Sequence, residues 1–251
     1  LPQNAAVAFD QVGLTYAGAG DESLSGITFA ARPGETVGVI GGTGSGKTSL
    51  VHLIPRFYDA TAGHVTLLGR PIDQWSREDL HRAVAIVLQK AQLFSGTIRS
   101  NLLWGNADAD DATLWAALEA AQAAEFVRQK PLGLDEPVEQ GGRNFSGGQR
   151  QRLTIARALV GQPQVLILDD SASALDFATD AALRKSLRAL PWKPTVFIVS
   201  QRTSSLRHAD QILVLDDGRL VGHGTHQGLL ETCPVYREIY ESQFEKGGAA
   251  Q

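Results

Sequence analysis

The 251-residue chain contains no methionine, a single cysteine and no long hydrophobic segment. Its continuous apolar segments are short, as at residues 165–168, whereas a membrane-spanning helix needs roughly 18 or more such residues. A transmembrane helix is therefore not predicted within this sequence. The single cysteine, Cys233, excludes an internal disulfide and suits a reducing compartment, and we assign its thiol no role.

An excess of basic residues is also missing. The 23 Lys and Arg residues against 27 Asp and Glu residues give a formal net charge of −4. This balance provides no broad positive surface, so no nucleic-acid partner is predicted. With 43% hydrophobic and 20% charged residues, the composition also excludes a disordered or fibrous chain, and we expect a globular protein with a substantial core.

Three apolar segments predict a central sheet. They are unalternating and contain β-branched residues, which is typical of strands buried on both faces of a parallel sheet, and they lie at residues 36–40, 165–168 and 195–199. The first precedes a glycine-rich loop and a helical pattern. Short β-prone segments bounded by glycine predict antiparallel hairpins at residues 7–15, 65–68 and 212–215.

The middle of the chain differs from the rest. Between about Ser95 and Val160 it is rich in Ala, Leu, Glu and Gln, and Leu114, Leu118 and Ala121 lie on one helical face. This pattern predicts an inserted helical subdomain, which we place at residues 89–160. The α/β core, including its antiparallel part, then comprises residues 1–88 and 161–251.

The loop after the first apolar strand has the spacing G-x-x-x-x-G-K-T. Its glycines permit a tight turn whose N–H groups point at phosphate oxygens, and the next helix adds the positive end of its dipole. Lys47 supplies a charge for the terminal phosphates, and the Thr48 hydroxyl is a ligand for Mg²⁺. A bound nucleoside triphosphate would contact Gly41, Gly42, Thr43, Gly44, Ser45, Gly46, Lys47, Thr48 and Ser49.

Two further elements accompany this loop. Asp169 ends a predicted buried strand, where its carboxylate can hold Mg²⁺ together with Thr48. In residues 145–149, Phe-Ser-Gly-Gly-Gln, Ser146 is a candidate N-cap, and two glycines leave N–H groups at a helix start available to an anion. The predicted anion-binding residues of this signature segment are Ser146, Gly147, Gly148 and Gln149.

The ordered set of glycine loop, signature segment, strand with Asp169, and Ser-Ala-Leu-Asp at residues 173–176 resembles the nucleotide-binding domain of ABC transporters over essentially the whole chain. Residues 87–98 are similar to the exporter subgroup. The resemblance implies a P-loop NTPase (RecA-like) core with a mostly parallel sheet, an antiparallel β subdomain and a helical insert. It further implies an ATP hydrolase that uses ATP and Mg²⁺ and couples hydrolysis to substrate export.

The resemblance also implies roles for individual residues. Tyr16 would stack on adenine, and Gln89 would approach Mg²⁺ and the attacking water and sense a transmembrane partner. In this family two such domains dimerise head to tail, so the signature segment would contact the partner's ATP, and Asp176 would link the two sites. Because the chain begins at Leu1 and lacks Met, we expect the C-terminal part of a longer polypeptide, with transmembrane segments upstream, at the cytoplasmic face of the cell membrane.

Three positions depart from the family pattern. Efficient members carry Glu after the Mg²⁺-linked Asp, whereas this chain has Asp170, whose shorter arm moves the carboxylate by roughly 1.5 Å. Gln201 stands where a histidine usually contacts the γ-phosphate, and residues 138–140 read Val-Glu-Gln instead of Val-Gly-Glu. With candidate catalytic residues Asp170, Gln201 and Gln89, the chain resembles the degenerate-site subunit of a heterodimeric exporter. Its own site would hydrolyse slowly, and its intact signature segment would serve the partner's site.

Other interpretations stay open. Asp170 and Gln201 can be tolerated variants in a fully active homodimeric exporter. A soluble chromosome or repair ATPase has a similar loop and signature, but a long coiled coil usually separates them, whereas here Thr48 and Ser146 are 98 positions apart without sustained heptads. A third class is a regulatory module that holds ATP without hydrolysing it.

Overall fold

The computed structural model describes residues 1–90 and 92–248. These residues form twelve β-strands, ten α-helices and three short 3₁₀ helices. The strands are β1 (Val7–Leu14), β2 (Leu24–Ala31), β3 (Thr36–Gly41), β4 (Ala62–Leu67), β5 (Arg70–Pro71), β6 (Val84–Val87), β7 (Gly96–Thr97), β8 (Pro137–Val138), β9 (Val165–Asp169), β10 (Thr195–Val199), β11 (Gln211–Asp216) and β12 (Arg219–Gly224). The α-helices are α1 (Lys47–His52), α2 (Arg77–Ala83), α3 (Ile98–Leu102), α4 (Asp111–Ala120), α5 (Ala124–Arg128), α6 (Gly147–Val160), α7 (Phe177–Arg188), α8 (Thr203–Leu206), α9 (His226–Thr232) and α10 (Pro234–Gly248). The 3₁₀ helices are Ile72–Gln74, Gly133–Asp135 and Gln140–Gly142.

The chain divides into two compact units. The first contains Leu1–Val84 and the chain from Thr195 on, and the second is Ala85–Pro194. The second unit is larger than the predicted insert because α7 contacts α4, and Gln122 Nε2 donates to Ser186 Oγ of α7 at 2.7 Å. The predicted division into residues 1–88 with 161–251 and residues 89–160 stays a prediction.

The first unit contains an antiparallel sheet with the strand order β2-β1-β4-β5. Phe9 of β1 lies opposite Phe29 of β2, with ring centroids 4.7 Å apart, and opposite Val65 of β4 on the other edge. All three side chains are buried. The apolar positions of these strands thus form a common core, as the predicted antiparallel subdomain requires.

The same unit contains the strands of the parallel sheet. β3 lies between β10 and β11 and is parallel to both, with Val37 opposite Phe197 and Val39 opposite Leu213. Every residue of β3 and β10 is buried, which explains their unalternating apolar sequences. β11 turns through Asp217 and Gly218 into the antiparallel β12. The predicted hairpin at this position and the mixed α/β fold are confirmed.

The second unit is mainly helical. α6 packs against α3 and α4, and Leu114, Leu118 and Ala121 are fully buried, as their spacing predicts. β9 lies next to β6 and is buried along its whole length. The unit also contains a short antiparallel pair, β7 with β8, that the sequence did not predict. Across the described part of the chain, no helix has both the length and the apolar character that a bilayer span requires.

Candidate nucleotide site

The glycine loop, residues 41–46, leads from the end of β3 to α1, and its geometry requires glycine. A Cβ on Gly41 would lie 2.4 Å from the Leu215 carbonyl oxygen, and one on Gly46 would lie 2.9 Å from Leu24 Cδ2. Gly44 and Gly46 have φ angles of 74° and 105°. Other residues rarely adopt such angles, so the backbone can follow this path only with glycine at these positions.

Of two side chains in the loop, Lys47 is placed for an anionic ligand and Ser45 is enclosed. Lys47 Nζ donates to the carbonyl oxygens of Gly41 at 2.7 Å and Gly42 at 2.9 Å, which holds the ammonium group at the loop. Ser45 is 4% exposed, and its Oγ has no hydrogen-bond partner among the described residues. An unpartnered buried hydroxyl is costly, and this one is enclosed by the loop itself, since a Cβ on Gly41 would lie 2.4 Å from it.

A cavity of about 420 Å³ adjoins the loop, which is within the ~300–1,000 Å³ typical of ligand pockets. We call it the loop cavity. Residues 44–49 line it together with residues 21–23 of the β1–β2 connection and the β11–β12 turn. Gly218 of that turn donates its N–H to the Ser45 carbonyl at 2.9 Å. Asp21, Glu22 and Asp217, which no motif in the sequence marks, add carboxylates to the lining.

Tyr16, predicted to stack on adenine, lies beside the helix that follows the loop. Its hydroxyl shares a 2.6 Å hydrogen bond with Ser49 Oγ of α1. The half-buried ring meets Tyr58 edge to face, with centroids 4.8 Å apart. The structure thus brings Tyr16 together with a residue that lines the loop cavity, while adenine stacking stays a prediction.

Asp169 and Asp170 lie at the end of β9 in the second unit. Asp169 is 6% exposed, and its carboxylate oxygens are hard ligands of the kind that Mg²⁺ takes. Asp170 has a φ of 52°, in the left-handed region. Asp and Asn tolerate this region better than residues with longer side chains. The backbone therefore favours Asp over Glu at the position that departs from the family pattern.

Gln201 follows the buried strand β10, Gln89 follows the partly buried strand β6, and both side chains are exposed. Gln201 lies after β10 in the first unit, and its backbone carbonyl accepts a hydrogen bond from Gln243 of α10. Gln89 lies after β6 in the second unit. Exposure leaves both amides accessible to a ligand or a partner, and their catalytic roles stay predictions.

The signature segment forms the start of α6, as predicted. Ser146 Oγ accepts from the Gln149 N–H at 3.2 Å, and Gln149 Oε1 accepts from the Ser146 N–H at 3.1 Å, which completes a capping box. Phe145 is buried and anchors the segment, while Ser146 and Gly147 are exposed. The cap thus presents the first turn of a helix to solvent.

Asp176 has a structural role that the sequence analysis did not identify. It is the N-cap of α7, and its carboxylate accepts from the Thr179 N–H at 2.7 Å. This hydrogen bond lowers the pKa of Asp176, and the charge of Arg152 adds to the effect. A Cβ on Gly148 would lie 3.3 Å from the Ala174 carbonyl oxygen, so the signature helix and the segment before Asp176 are in contact.

Comparison with known proteins identifies the family. The family model described as ABC transporter matches residues 24–173, more than half of the chain. The chain belongs to the ABC transporter family. It is an ATPase domain that binds ATP. The structure brings the predicted loop residues 44–49 together around the loop cavity, with Tyr16 bonded to Ser49. It describes Asp169, Asp170, Gln89 and the signature segment within the other unit.

Relatives of this ABC transporter domain are longer proteins. An uncharacterised ABC transporter ATP-binding protein of Mycobacterium tuberculosis is 46% identical over 232 residues, which cover 91% of this chain and 40% of the relative. An ATP-dependent lipid A-core flippase of Xanthomonas campestris is 40% identical over 241 residues, 96% of this chain and 41% of the relative. A bacterial Atm1-family ABC exporter solved with ATP bound superposes with a TM-score of 0.89 at 36% identity, covering 94% of this chain and 42% of the exporter chain. The chain thus spans about two fifths of the length of these proteins.

Proposed function

We propose that this domain is the ATP-driven motor of an ABC exporter. ATP binding closes two such domains head to tail and moves the transmembrane segments, and hydrolysis resets them. The loop cavity is the observation that carries the proposal. Its glycine backbone and the Lys47 ammonium group form the binding surface for the β- and γ-phosphates.

Mg²⁺ is the metal that suits the chemistry of each predicted ligand. Thr48 offers a hydroxyl, Asp169 a buried carboxylate and Gln89 an amide oxygen, all hard oxygen ligands. When bound, Mg²⁺ neutralises charge on the phosphate oxygens. Lys47 and the backbone of the glycine loop hold the phosphates in place.

The chain's own ATP site is degenerate in this proposal. Asp170 occupies the position of the base, but its side chain is one methylene shorter than that of Glu. A base must come within about 2.6–3.2 Å of the proton that it takes. Gln201 can donate a hydrogen bond to the γ-phosphate but cannot carry a positive charge as histidine does. The signature segment, with Ser146 and exposed Gly147, serves the site of a non-identical partner domain.

A transmembrane partner docks on the second unit, at the cytoplasmic face of the membrane. Phe94 and Trp104 are 46% and 71% exposed, and their ring centroids are 5.1 Å apart. The Arg157 guanidinium lies over the Phe94 ring and donates to the Gln92 carbonyl. These two contacts hold the Phe94 side chain in place. Large exposed aromatic side chains are typical of protein interfaces. Phe94 lies within residues 87–98, the segment that is similar to the exporter subgroup, and Trp104 follows that segment.

Lys47 provides the test of nucleotide binding. Among the described residues that line the loop cavity, Lys47 carries the only positive charge beside three carboxylates. Lys47→Ala is therefore expected to weaken ATP binding by about 10–100-fold, as loss of a hydrogen bond between charged groups would. Binding is measured by photolabelling of this chain with 8-azido-ATP in the intact transporter, with Lys185→Ala on the exposed face of α7 as the control. Equal labelling of wild type and Lys47→Ala would contradict the proposal.

A further inference from the structure

Gln243 of α10 forms three hydrogen bonds with the loop that follows β10. Its Oε1 accepts from the backbone N–H of Thr203 at 3.0 Å and from Thr203 Oγ1 at 2.8 Å. Its Nε2 donates to the backbone carbonyl of Gln201. One amide thus bonds with both residues that flank Arg202.

These bonds supply a cap that the loop itself does not provide. Thr203 begins α8 and is 4% exposed, and the N-cap residue Arg202 makes no side-chain cap bond. The first N–H groups of a helix have no partner within the helix. Gln243 Oε1 accepts from the first of them, so a side chain from α10 takes the place of a local capping residue.

The segment with Gln201 is fixed on its other side by β3, the strand that leads into the glycine loop. The Ser200 N–H donates to the Val39 carbonyl at 3.2 Å. Leu206 of α8 is fully buried, and a Cβ on Gly38 of β3 would lie 3.0 Å from Leu206 Cδ2. Gln201 therefore sits between a rigid strand on one side and the Gln243 bonds on the other.

α10 is itself anchored, so it can act as a fixed support. Tyr236, about two turns before Gln243, is fully buried, and its hydroxyl shares a 2.6 Å hydrogen bond with His226 Nδ1 of α9. Burial raises the pKa of Tyr236 to about 12, which keeps the hydroxyl protonated. The position of Gln243 is thereby set by the packing of α10 on α9.

We propose that Gln243 is a positioning residue for the γ-phosphate contact of Gln201. It holds the Gln201 carbonyl and the Thr203 N–H, and so fixes the backbone from which the Gln201 amide reaches the phosphate. The inference rests on the proposed function, in which Gln201 contacts the γ-phosphate. Because ADP lacks this phosphate, loss of the positioning bonds weakens binding of ATP and leaves binding of ADP unchanged.

The test is photolabelling of this chain by 8-azido-ATP in the intact transporter, with ATP and ADP as competitors. Gln243→Ala is expected to raise the ATP concentration needed for competition about tenfold, the scale of one hydrogen bond to a charged group, without a change for ADP. Gln243→Glu keeps an acceptor for both bonds with Thr203 and replaces the bond donated to Gln201 by repulsion between two oxygens, so it tests the same contact with α8 still capped. Ser242→Ala, at the exposed neighbouring position, is the matched control and should behave as wild type.

A double-mutant cycle separates positioning from a structural role. Gln201→Ala should show the same loss of preference for ATP, and Gln243→Ala added to Gln201→Ala should have no further effect, since both changes act on one contact. Equal weakening of ATP and ADP binding, or additive losses in the double variant, would assign Gln243 to the fold alone and overturn the inference. If 8-azido-ATP labelled the wild type no more than Lys47→Ala, the proposed function on which this inference rests would be overturned instead.

Discussion

The backbone at Asp170 holds a conformation that costs free energy for most side chains. Its φ of 52° lies in the left-handed region, where a residue other than Gly, Asn or Asp loses about 1–2 kcal/mol. A longer carboxylate arm at this position therefore brings two opposing effects. It reaches further toward an attacking water, and it fits the local backbone less well.

Asp170→Glu is expected to raise hydrolysis at this chain's own site and to lower stability. The additional methylene extends the carboxylate by roughly 1.5 Å, and a well-placed base contributes ~10²-fold or more to the rate. The free energy of unfolding should fall by about 1 kcal/mol because Glu tolerates the backbone angle less well. Single-turnover hydrolysis and a urea unfolding curve measure the two effects. A folded variant without faster turnover would show that the site differs from efficient members in more than the length of this arm.

At the element scale, the start of α6 combines a helix cap with a proposed contact to the partner's ATP. Ser146 takes part in both, since its Oγ accepts from the Gln149 N–H and its backbone is exposed. Two substitutions separate these roles. Asp at an N-cap is as favourable as Ser, whereas Ala there costs about 1 kcal/mol. Asp also adds a negative charge at the place where a phosphate would approach.

Ser146→Asp is therefore expected to keep the stability of the wild type and to abolish ATP turnover by the assembled transporter. Ser146→Ala should lower the free energy of unfolding by about 1 kcal/mol and reduce turnover less severely, because it adds no repulsive charge. Thermal unfolding and steady-state ATPase activity provide the two readouts. If Ser146→Asp turned over ATP at the wild-type rate, the signature segment would not face a phosphate.

The cap of α7 predicts how acid affects the second unit. The hydrogen bond from the Thr179 N–H lowers the pKa of Asp176 below its usual value of 3.8. A carboxyl group with a lowered pKa in the folded state stabilises the fold above its unfolded pKa, and this contribution is lost as pH falls through the folded pKa. Asp176→Asn keeps an N-cap acceptor but does not titrate. Thermal midpoints from pH 6 down to about pH 2.5 should therefore fall more steeply for the wild type than for Asp176→Asn, and parallel curves would contradict this assignment.

At the scale of the whole molecule, the sequence predicts features that depend on neighbouring residues. The glycine loop, the buried strands and the Ser146 cap each follow from a few consecutive positions, and all three are present. The residues that it missed come from distant segments. Asp21, Asp217 and Gln243 reach the loop cavity or the Gln201 loop only through the fold, so no local pattern marks them. Asp176 was assigned to an interface, although its spacing to Thr179 also fits an N-cap.

The proposed asymmetry between two ATP sites concerns the assembled transporter, and the single residue that tests it is Asp170. Asp170→Asn removes the negative charge and nearly preserves the shape of the side chain, and Asn tolerates the left-handed backbone as well as Asp does. Stability is therefore expected to stay within about 0.5 kcal/mol of the wild type. Any change in hydrolysis can then be assigned to the lost carboxylate.

In a heterodimer with a degenerate site, Asp170→Asn leaves turnover of the transporter nearly unchanged. The ATP is then hydrolysed at the partner's site, which the signature segment of this chain completes. Removal of the equivalent acid in the partner should lower the rate of turnover by ~10²–10⁴-fold. Single-turnover hydrolysis by the transporter assembled with its native partner compares the two changes directly. If Asp170→Asn alone abolished hydrolysis, Asp170 would be a functioning base despite its short arm, and the fully active homodimer would replace the asymmetric assembly.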